Sequence, residues 1–213
     1  MKLTNFYLLC IPFLILNIHA QTKPDLANKL DSIYQEDQKY RKQIGDVMKE
    51  HGQNSEELQD LFKTIVKKDS TNLIEVKSIL DKYGWLGQDA VGKKGNQTLF
   101  LVIQHSDLET QKKYMPLMEQ AVEDDKARSQ NFALLKDRVL LGEGKKQVYG
   151  SQIGKHQETG EYYVRPLKDP ENVNIRREEM DLGTIESYVS RWNIEWSVKN
   201  YLESIEKFEN DKS

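Results

Sequence analysis

Cysteine is almost absent from this sequence, since Cys10 is the only one among 213 residues. It lies in an N-terminal apolar segment that we expect to be removed, which leaves a mature chain without a thiol. Disulfide bonds, cysteine nucleophiles and cysteine-ligated zinc are then excluded from the mature protein. Stability must therefore come from the core alone, and a chain of this length can bury roughly 70% of its unfolded surface in one domain.

An excess of positive charge is also missing. The chain has 31 Lys and Arg against 34 Asp and Glu, and its basic pairs, such as Lys93–Lys94, are scattered among acidic residues. Proteins that bind nucleic acid carry clustered Lys and Arg. The composition therefore predicts no nucleic-acid partner. The 10 Tyr, 6 Phe and 3 Trp argue for a folded chain rather than a disordered one.

Long apolar runs are rare, and the longest stands near the start of the chain. Lys2 precedes a run that continues to Ile18, and Ala20 is a small residue just after it. This pattern is typical of a secretory signal peptide. We expect residues 1–20 to be cleaved, so that the protein is exported (periplasmic or secreted), begins at Gln21 and keeps no stable membrane span. An uncleaved N-terminal anchor is the alternative.

The remaining sequence predicts a mainly α-helical (α+β) fold with one small β-hairpin in a single domain. Apolar residues at helical spacing predict a helix over 25–51 that ends at Gly52, and a second helix that Ser55 caps. Polar residues at 69–71 predict a short break in that second helix. Four glycines within residues 83–97 predict a loop.

The apolar run 99–103 fits either a buried strand or a buried helix, because periodicity does not separate the two. Further helices are predicted over 110–127 and 130–141. Segments 147–153 and 161–165 are rich in β-forming residues and predict the hairpin. The predicted regions are a signal peptide (1–20), an N-terminal helical region (21–71), a domain core (72–190) and a C-terminal helix (191–213).

Gln104 and His105 directly follow the apolar run and precede Ser106 and Asp107. A histidine at the edge of a core can act as a general base when a carboxylate orients it. The structural alternative is a capping box, in which Ser106 pairs with Glu109 and His105 is a satisfied core residue. Position alone favours the structural alternative.

Asp137 and Arg138 lie in a predicted amphipathic helix, where Arg138 shares a face with Leu134 and Leu141. That placement predicts a guanidinium that points into the core and is paired, because a buried arginine needs acceptors for its five donors. Arg138 is then either a structural link or a clamp for an anionic ligand.

No metal or cofactor site is predicted. The three histidines of the mature chain, His51, His105 and His156, are isolated and lack metal-binding spacing. The segment Gly87–Lys94 comes close to a phosphate-binding P-loop, but Lys94 stands where the magnesium-binding Ser or Thr is required. An ordinary glycine-rich loop is the better interpretation.

Several of these motifs, taken together, resemble a bacterial family of unknown function, DUF6624. They are Tyr83–Trp85, Gln104–Asp107, Asp137–Arg138, Gln147–Gln152, Val173–Arg177 and Tyr188, and they cover about residues 72–188. The chain departs from the family pattern with Leu86 for proline, Ser106 for alanine, Ser151 for threonine and Asp181 for glycine.

The resemblance implies that residues 98–105 form a helix. It also implies that polar motif residues matter as a group, and we expect them to share one neighbourhood. These residues are Gln104, His105, Asp137, Arg138, Gln147, Tyr149 and Gln152. The family carries no known reaction that could be transferred to this chain.

Two functions follow as hypotheses. The first is an exported binding or interaction domain whose polar group around His105 and Arg138, with Gln104, Gln147, Tyr149 and Gln152, recognises a small ligand or peptide or locks the hairpin to the helices. The alternative is an exported hydrolase-like enzyme in which His105 is the general base and Asp107 or Asp137 is its orienting group or acid. Arg138 would then stabilise an anion.

Overall fold

The computed structural model describes residues 23–156 and 159–209, and within them the chain is mainly α-helical with one small hairpin, as predicted. The predicted signal peptide, its cleavage site and Cys10 lie outside the described residues. The elements in chain order are α1 (Pro24–Arg41), α2 (Ile44–His51), α3 (Glu56–Tyr83), α4 (Gln88–Gln104), α5 (Leu108–Glu123), α6 (Ser129–Gly142), β1 (Ile153–Lys155), β2 (Tyr162–Val164), α7 (Val173–Glu179), α8 (Ile185–Val189) and α9 (Val198–Glu209).

The main hydrophobic core lies among α1, α3, α4, α5 and α6. A second core joins β2 to the C-terminal helices through Val164, Leu167, Val173, Ile185, Val189 and Tyr201. A smaller third cluster packs Leu58, Leu61 and Ile65 of α3 against side chains of α1 and α2. The sheet consists of β1 and β2, which pair antiparallel with Ile153 opposite Val164.

The predicted break at residues 69–71 is wrong, because α3 continues without interruption to Tyr83. Ser70 and Thr71 donate their hydroxyl hydrogens to the carbonyls of Val66 and Lys67, four residues earlier. Such bonds let Ser and Thr remain inside a helix. Ser55 caps the helix as predicted, since its Oγ accepts the Leu58 N–H at 3.2 Å.

The predicted loop over 83–97 is wrong in its second half, because α4 already begins at Gln88. Gly92 interrupts the helical backbone with a φ of 74°, a left-handed conformation that suits glycine. The apolar run beyond it is helical, which confirms the expectation that the family resemblance raised. The Thr98 hydroxyl lies between α4 and α1, where its one hydrogen is shared between the carbonyl of Lys94 at 2.8 Å and that of Leu30 at 3.1 Å.

The helix predicted over 25–51 is divided into α1 and α2 by a turn at Lys42 and Gln43, and α2 ends at Gly52 as predicted. The hairpin is confirmed, but its first strand is shorter than predicted. Residues 147–152 form a turn instead, tied to the segment after β2 by a bridge between Gln147 and Leu167.

Among the described helices, none combines the length and apolar character that crossing a bilayer requires.

Ser55→Ala should lower the free energy of unfolding by about 1 kcal/mol, because it leaves the Leu58 N–H without its capping acceptor. Urea denaturation measures the loss. Ser70→Ala in the same helix is the control and should change stability by less than about 0.5 kcal/mol, because Ala is the better helix former. Equal losses in both variants would contradict a specific capping role.

Candidate functional site

His105 follows the last residue of α4 and meets the buried face of α1. Its Nδ1 lies 3.0 Å from Oδ1 of Asp37. The Asp37 side chain is 2% exposed and that of His105 is 21% exposed, so the carboxylate is enclosed while the imidazole reaches the surface. The two residues are 68 positions apart, and the packing of α4 on α1 brings them together.

Three further side chains lie around this pair, and two of them, Arg41 and Asp69, carry charge. Gln38 donates to Oδ2 of Asp37 at 2.7 Å, Arg41 Nε lies 3.6 Å from the same oxygen, and Arg41 Nη2 pairs with Asp69 of α3 at 2.5 Å. We call Asp37, Arg41, Asp69 and His105 the His105 cluster. Burial raises the pKa of Asp37, but the hydrogen bonds from His105 and Gln38 and the positive charges of His105 and Arg41 together hold the pKa below its ordinary value.

The ionised Asp37 determines which nitrogen of His105 carries hydrogen. A carboxylate only accepts hydrogen bonds, so the hydrogen between the two groups belongs to Nδ1 of His105. When the ring is neutral, Nε2 is the nitrogen without a hydrogen. The carboxylate therefore orients the ring and also stabilises the charge that a proton on Nε2 would bring.

A cleft of about 180 Å³ opens beside His105 and is lined also by Asp69, Ser70, Ser106 and Asp107. It has room for water and a small polar group. Both serine hydroxyls are already committed, since Ser70 donates to the carbonyl of Val66 at 2.9 Å and Ser106 donates to that of Ile103 at 2.7 Å. Neither serine is paired with His105 as a nucleophile would be.

Asp37, Asp69 and His105 are also the residues that could hold a metal ion, because each offers a ligand atom within 4.8 Å of the others. Arg41 already supplies positive charge to both carboxylates. A divalent cation would have to sit beside this guanidinium, and like charges at such distances repel each other. The arrangement therefore suits proton transfer better than metal binding.

The residues next to His105 have local structural roles. Asp107, and not the predicted Ser106, is the cap of α5, since its carboxylate accepts the Thr110 N–H at 2.7 Å. The carboxylate that contacts His105 is Asp37, so the expectation that Asp107 or Asp137 orients it is wrong. Gln104 accepts a hydrogen bond from Gln111 through its backbone carbonyl, and its own Oε1 is buried without a partner.

Asp137 organises a different part of the chain, the turn at 147–152. Its carboxylate is fully buried and accepts the backbone N–H groups of Val148 at 2.7 Å, Tyr149 at 3.0 Å and Ser151 at 3.0 Å. Burial raises the pKa of Asp137 above its ordinary value, and the amide hydrogen bonds oppose that shift. This carboxylate faces backbone amides rather than open space, so its contacts are those of a structural residue.

The other polar motif residues build the same turn. Gln147 is fully buried and donates to the carbonyls of Gln152 at 3.0 Å and Arg165 at 2.9 Å, while its Oε1 accepts the Gln152 N–H at 2.8 Å. Gln152 reaches back to the carbonyl of Leu134 in α6. The side chain of Tyr149 is buried as well. These contacts lock the hairpin onto the helices.

The prediction that Arg138 is buried and paired is wrong. The side chain of Arg138 is exposed, although desolvation by its neighbours lowers the pKa of the guanidinium, and no hydrogen bond or ion pair links it to another of the described residues. The buried arginine is Arg177 of α7, which is 2% exposed and donates to the carbonyls of Gly183 at 2.6 Å and Tyr149 at 2.7 Å. Its guanidinium also lies 4.9 Å from the ring centre of Tyr188. Burial lowers the pKa of Arg177.

The predicted polar neighbourhood thus divides into two groups by its contacts. His105 contacts α1 and Gln104 contacts α5, whereas Asp137, Gln147, Tyr149 and Gln152 belong with the turn. Arg138 is hydrogen-bonded to neither group of described residues. No hydrogen bond or ion pair within 23–156 and 159–209 joins the two groups. Sequence reasoning missed Asp37, although it falls on the apolar stripe of α1 after Leu30 and Ile33, where a charged residue is unexpected.

A family model described as "Family of unknown function (DUF6624)" matches residues 24–200. The chain belongs to the DUF6624 family. The match extends past residues 72–188, where the motifs suggested it, and it includes Asp37, Arg41 and Asp69. No curated protein and no solved structure gives a significant match to the chain.

Asp137→Ala in this DUF6624 protein should destabilise the fold by at least about 3 kcal/mol, because three backbone N–H groups, two of them buried, lose their acceptor and each unsatisfied group costs about 1–3 kcal/mol. Denaturant melts measure the loss. Asp60→Ala is the control, since it removes an exposed carboxylate paired only with Lys63, and it should cost less than about 1 kcal/mol. A loss below 1 kcal/mol for Asp137→Ala would contradict its role in the turn.

Asp37→Asn should reduce the acid sensitivity of the fold. Because the pKa of Asp37 is lowered in the folded state, this carboxylate contributes stability above its unfolded pKa of about 3.9 and loses it as the pH falls through the folded value. The variant lacks that contribution, so its unfolding free energy should fall less steeply with decreasing pH below about pH 4. Identical slopes in urea melts of both proteins would rule the contribution out.

Proposed function

We propose that the cleft beside His105 is an acid–base site for a small polar substrate, and that the protein is a hydrolase-like enzyme. His105 accepts a proton at Nε2, and Asp37 positions the ring and stabilises the imidazolium. The observation that carries this proposal is the 3.0 Å contact between Nδ1 of His105 and a carboxylate that is almost fully enclosed. That pairing gives a histidine the orientation that a general base requires.

The cleft indicates which proton is removed. Its two serine hydroxyls donate to main-chain carbonyls, so a covalent mechanism through either of them is not supported. The free Nε2 is then available to water or to a hydroxyl of the substrate itself. We therefore propose attack by an activated water molecule, with the small size of the cleft restricting the group that can approach.

Binding without turnover is the second candidate, and the lack of a free nucleophile in the cleft favours it. In that case the exposed imidazole and the oxygens of Asp69 and Asp107 would recognise a small ligand by hydrogen bonding. Arg138, Gln147, Tyr149 and Gln152 are not part of the cleft lining, so the proposal is confined to the His105 cluster. Export through an N-terminal signal also stays a proposal, supported by Lys2, the apolar run and Ala20.

Hydrolysis of 4-nitrophenyl acetate, whose acyl group is small, tests the acid–base proposal. The full chain should hydrolyse it faster than His105→Ala by at least about 100-fold, since general-base catalysis contributes about 10²–10⁴-fold. Asp37→Asn should give an intermediate rate, because the ring keeps its base but loses its orienting partner. Circular dichroism of each variant confirms that the fold is intact.

His51→Ala is the matched control, since it removes an exposed imidazole at the end of α2 and should leave the rate unchanged. If wild type, His105→Ala and His51→Ala hydrolyse the ester equally, the hydrolase proposal is wrong. Chemical-shift changes at His105 on adding acetate would then support the binding candidate.

A further inference from the structure

A larger cavity, of about 580 Å³, lies away from the His105 cluster, against the interruption of α4 at Gly92. Its lining includes Gln88, Lys93, Asn96, Gln97, Arg128 and Asn131. The volume falls in the range of pockets that hold small molecules, about 300–1,000 Å³. The left-handed backbone of Gly92 turns the chain so that Gln88, before it, and Lys93, after it, line the same space.

Two buried amides present acceptors to this cavity. Asn96 is 3% exposed and Asn131 is 6% exposed. The nitrogen of Asn96 donates to the carbonyls of Leu86 at 2.8 Å and Lys126 at 2.7 Å, and the nitrogen of Asn131 donates to Gln97 at 3.1 Å. The amide oxygens of both residues accept no hydrogen bond from the described part of the chain. Neither oxygen is among the enclosed unpartnered atoms, so both are open to the cavity, where a ligand can bring the missing donor.

Positive charge stands beside these acceptors. Lys93 and Arg128 are exposed, and within the described ranges neither forms an ion pair with a carboxylate. The other cation of the lining, Lys94, is already paired with Asp31 at 2.6 Å. Arg128 uses only its Nε, which donates to Gln130 at 3.2 Å. The cavity therefore combines open hydrogen-bond acceptors with two cations that have no ion-pair partner in the described chain, an arrangement that attracts an anionic group.

We propose that this cavity binds a small polyhydroxylated molecule that carries a carboxylate or phosphate group. Hydroxyls donate to the oxygens of Asn96 and Asn131, while the acidic group contacts Lys93 and Arg128. An ammonium ligand also has donors, but the two cations would repel it. Because the site does not use His105, this proposal stands independently of the acid–base function.

Isothermal titration calorimetry of the full chain with glucose 6-phosphate, glucuronate, glucose and inorganic phosphate tests the proposal. At least one of the two acidic sugars should bind saturably, and at least about tenfold more tightly than glucose or phosphate alone. Glucose lacks the acidic group, and inorganic phosphate lacks the sugar hydroxyls. Tighter binding of glucuronate or of glucose 6-phosphate distinguishes a carboxylate from a phosphate ligand. Failure of both to bind at about 10 mM would overturn the proposal.

Lys93→Gln should lower the affinity for the acidic sugar that binds by about tenfold, which is the effect of one lost charge-assisted hydrogen bond. Lys67→Gln is the matched control, because Lys67 is exposed on α3 and does not line the cavity, and it should leave affinity unchanged. Asn131→Ala tests the buried acceptor and should weaken binding to a similar extent, with a melting curve to confirm folding. Equal weakening by Lys67→Gln would show a general charge effect and contradict the site.

Discussion

The fold depends on a buried carboxylate that holds a turn. Asp137 lies in the last turns of α6, within the main core, and its two oxygens accept three backbone amides of the segment that leads to the hairpin. The backbone carbonyl of Tyr149, in that segment, accepts a hydrogen bond from Arg177 of α7. This chain of contacts, from α6 through the turn to α7, connects the helical core to the second core around β2 and the C-terminal helices.

Asp37 and Asp137 are both buried carboxylates, and their different surroundings give them different roles. Removing a charge from water costs several kcal/mol, and hydrogen bonds must compensate that cost. Around Asp137 the compensating donors are backbone N–H groups, which cannot release a proton or move without unfolding the turn. Around Asp37 they are side chains, and one of them, the imidazole of His105, lines a cleft. The first arrangement gives rigidity, and the second gives a site at which chemistry is possible.

Local signals predicted the helices, the hairpin, the cap at Ser55 and the stop at Gly52, because each depends on residues within one or two turns. The break expected at Ser70 and Thr71 is absent, since tertiary packing of α3 outweighs the weak helix preference of polar residues.

Long-range contacts were the part that sequence could not supply. The pairing of His105 with Asp37 spans 68 positions and arises only when α4 packs on α1. Arg138 shares a helical face with apolar residues, yet its long side chain reaches the surface and makes no hydrogen bond or ion pair with the described residues, while Arg177 is buried and paired.

Helix α4 connects the two proposed sites and also keeps them apart. Beyond Gly92 it runs from Lys93, at the larger cavity, to Gln104, next to His105. Lys93 and His105 are 12 positions apart, which corresponds to about 18 Å at the rise of an α-helix. A small molecule held by Asn96 and Asn131 therefore cannot reach the imidazole. Any influence of one site on the other must pass through α4 and α1, which are joined by the hydrogen bond from Thr98 to Leu30 and by the pair of His105 with Asp37.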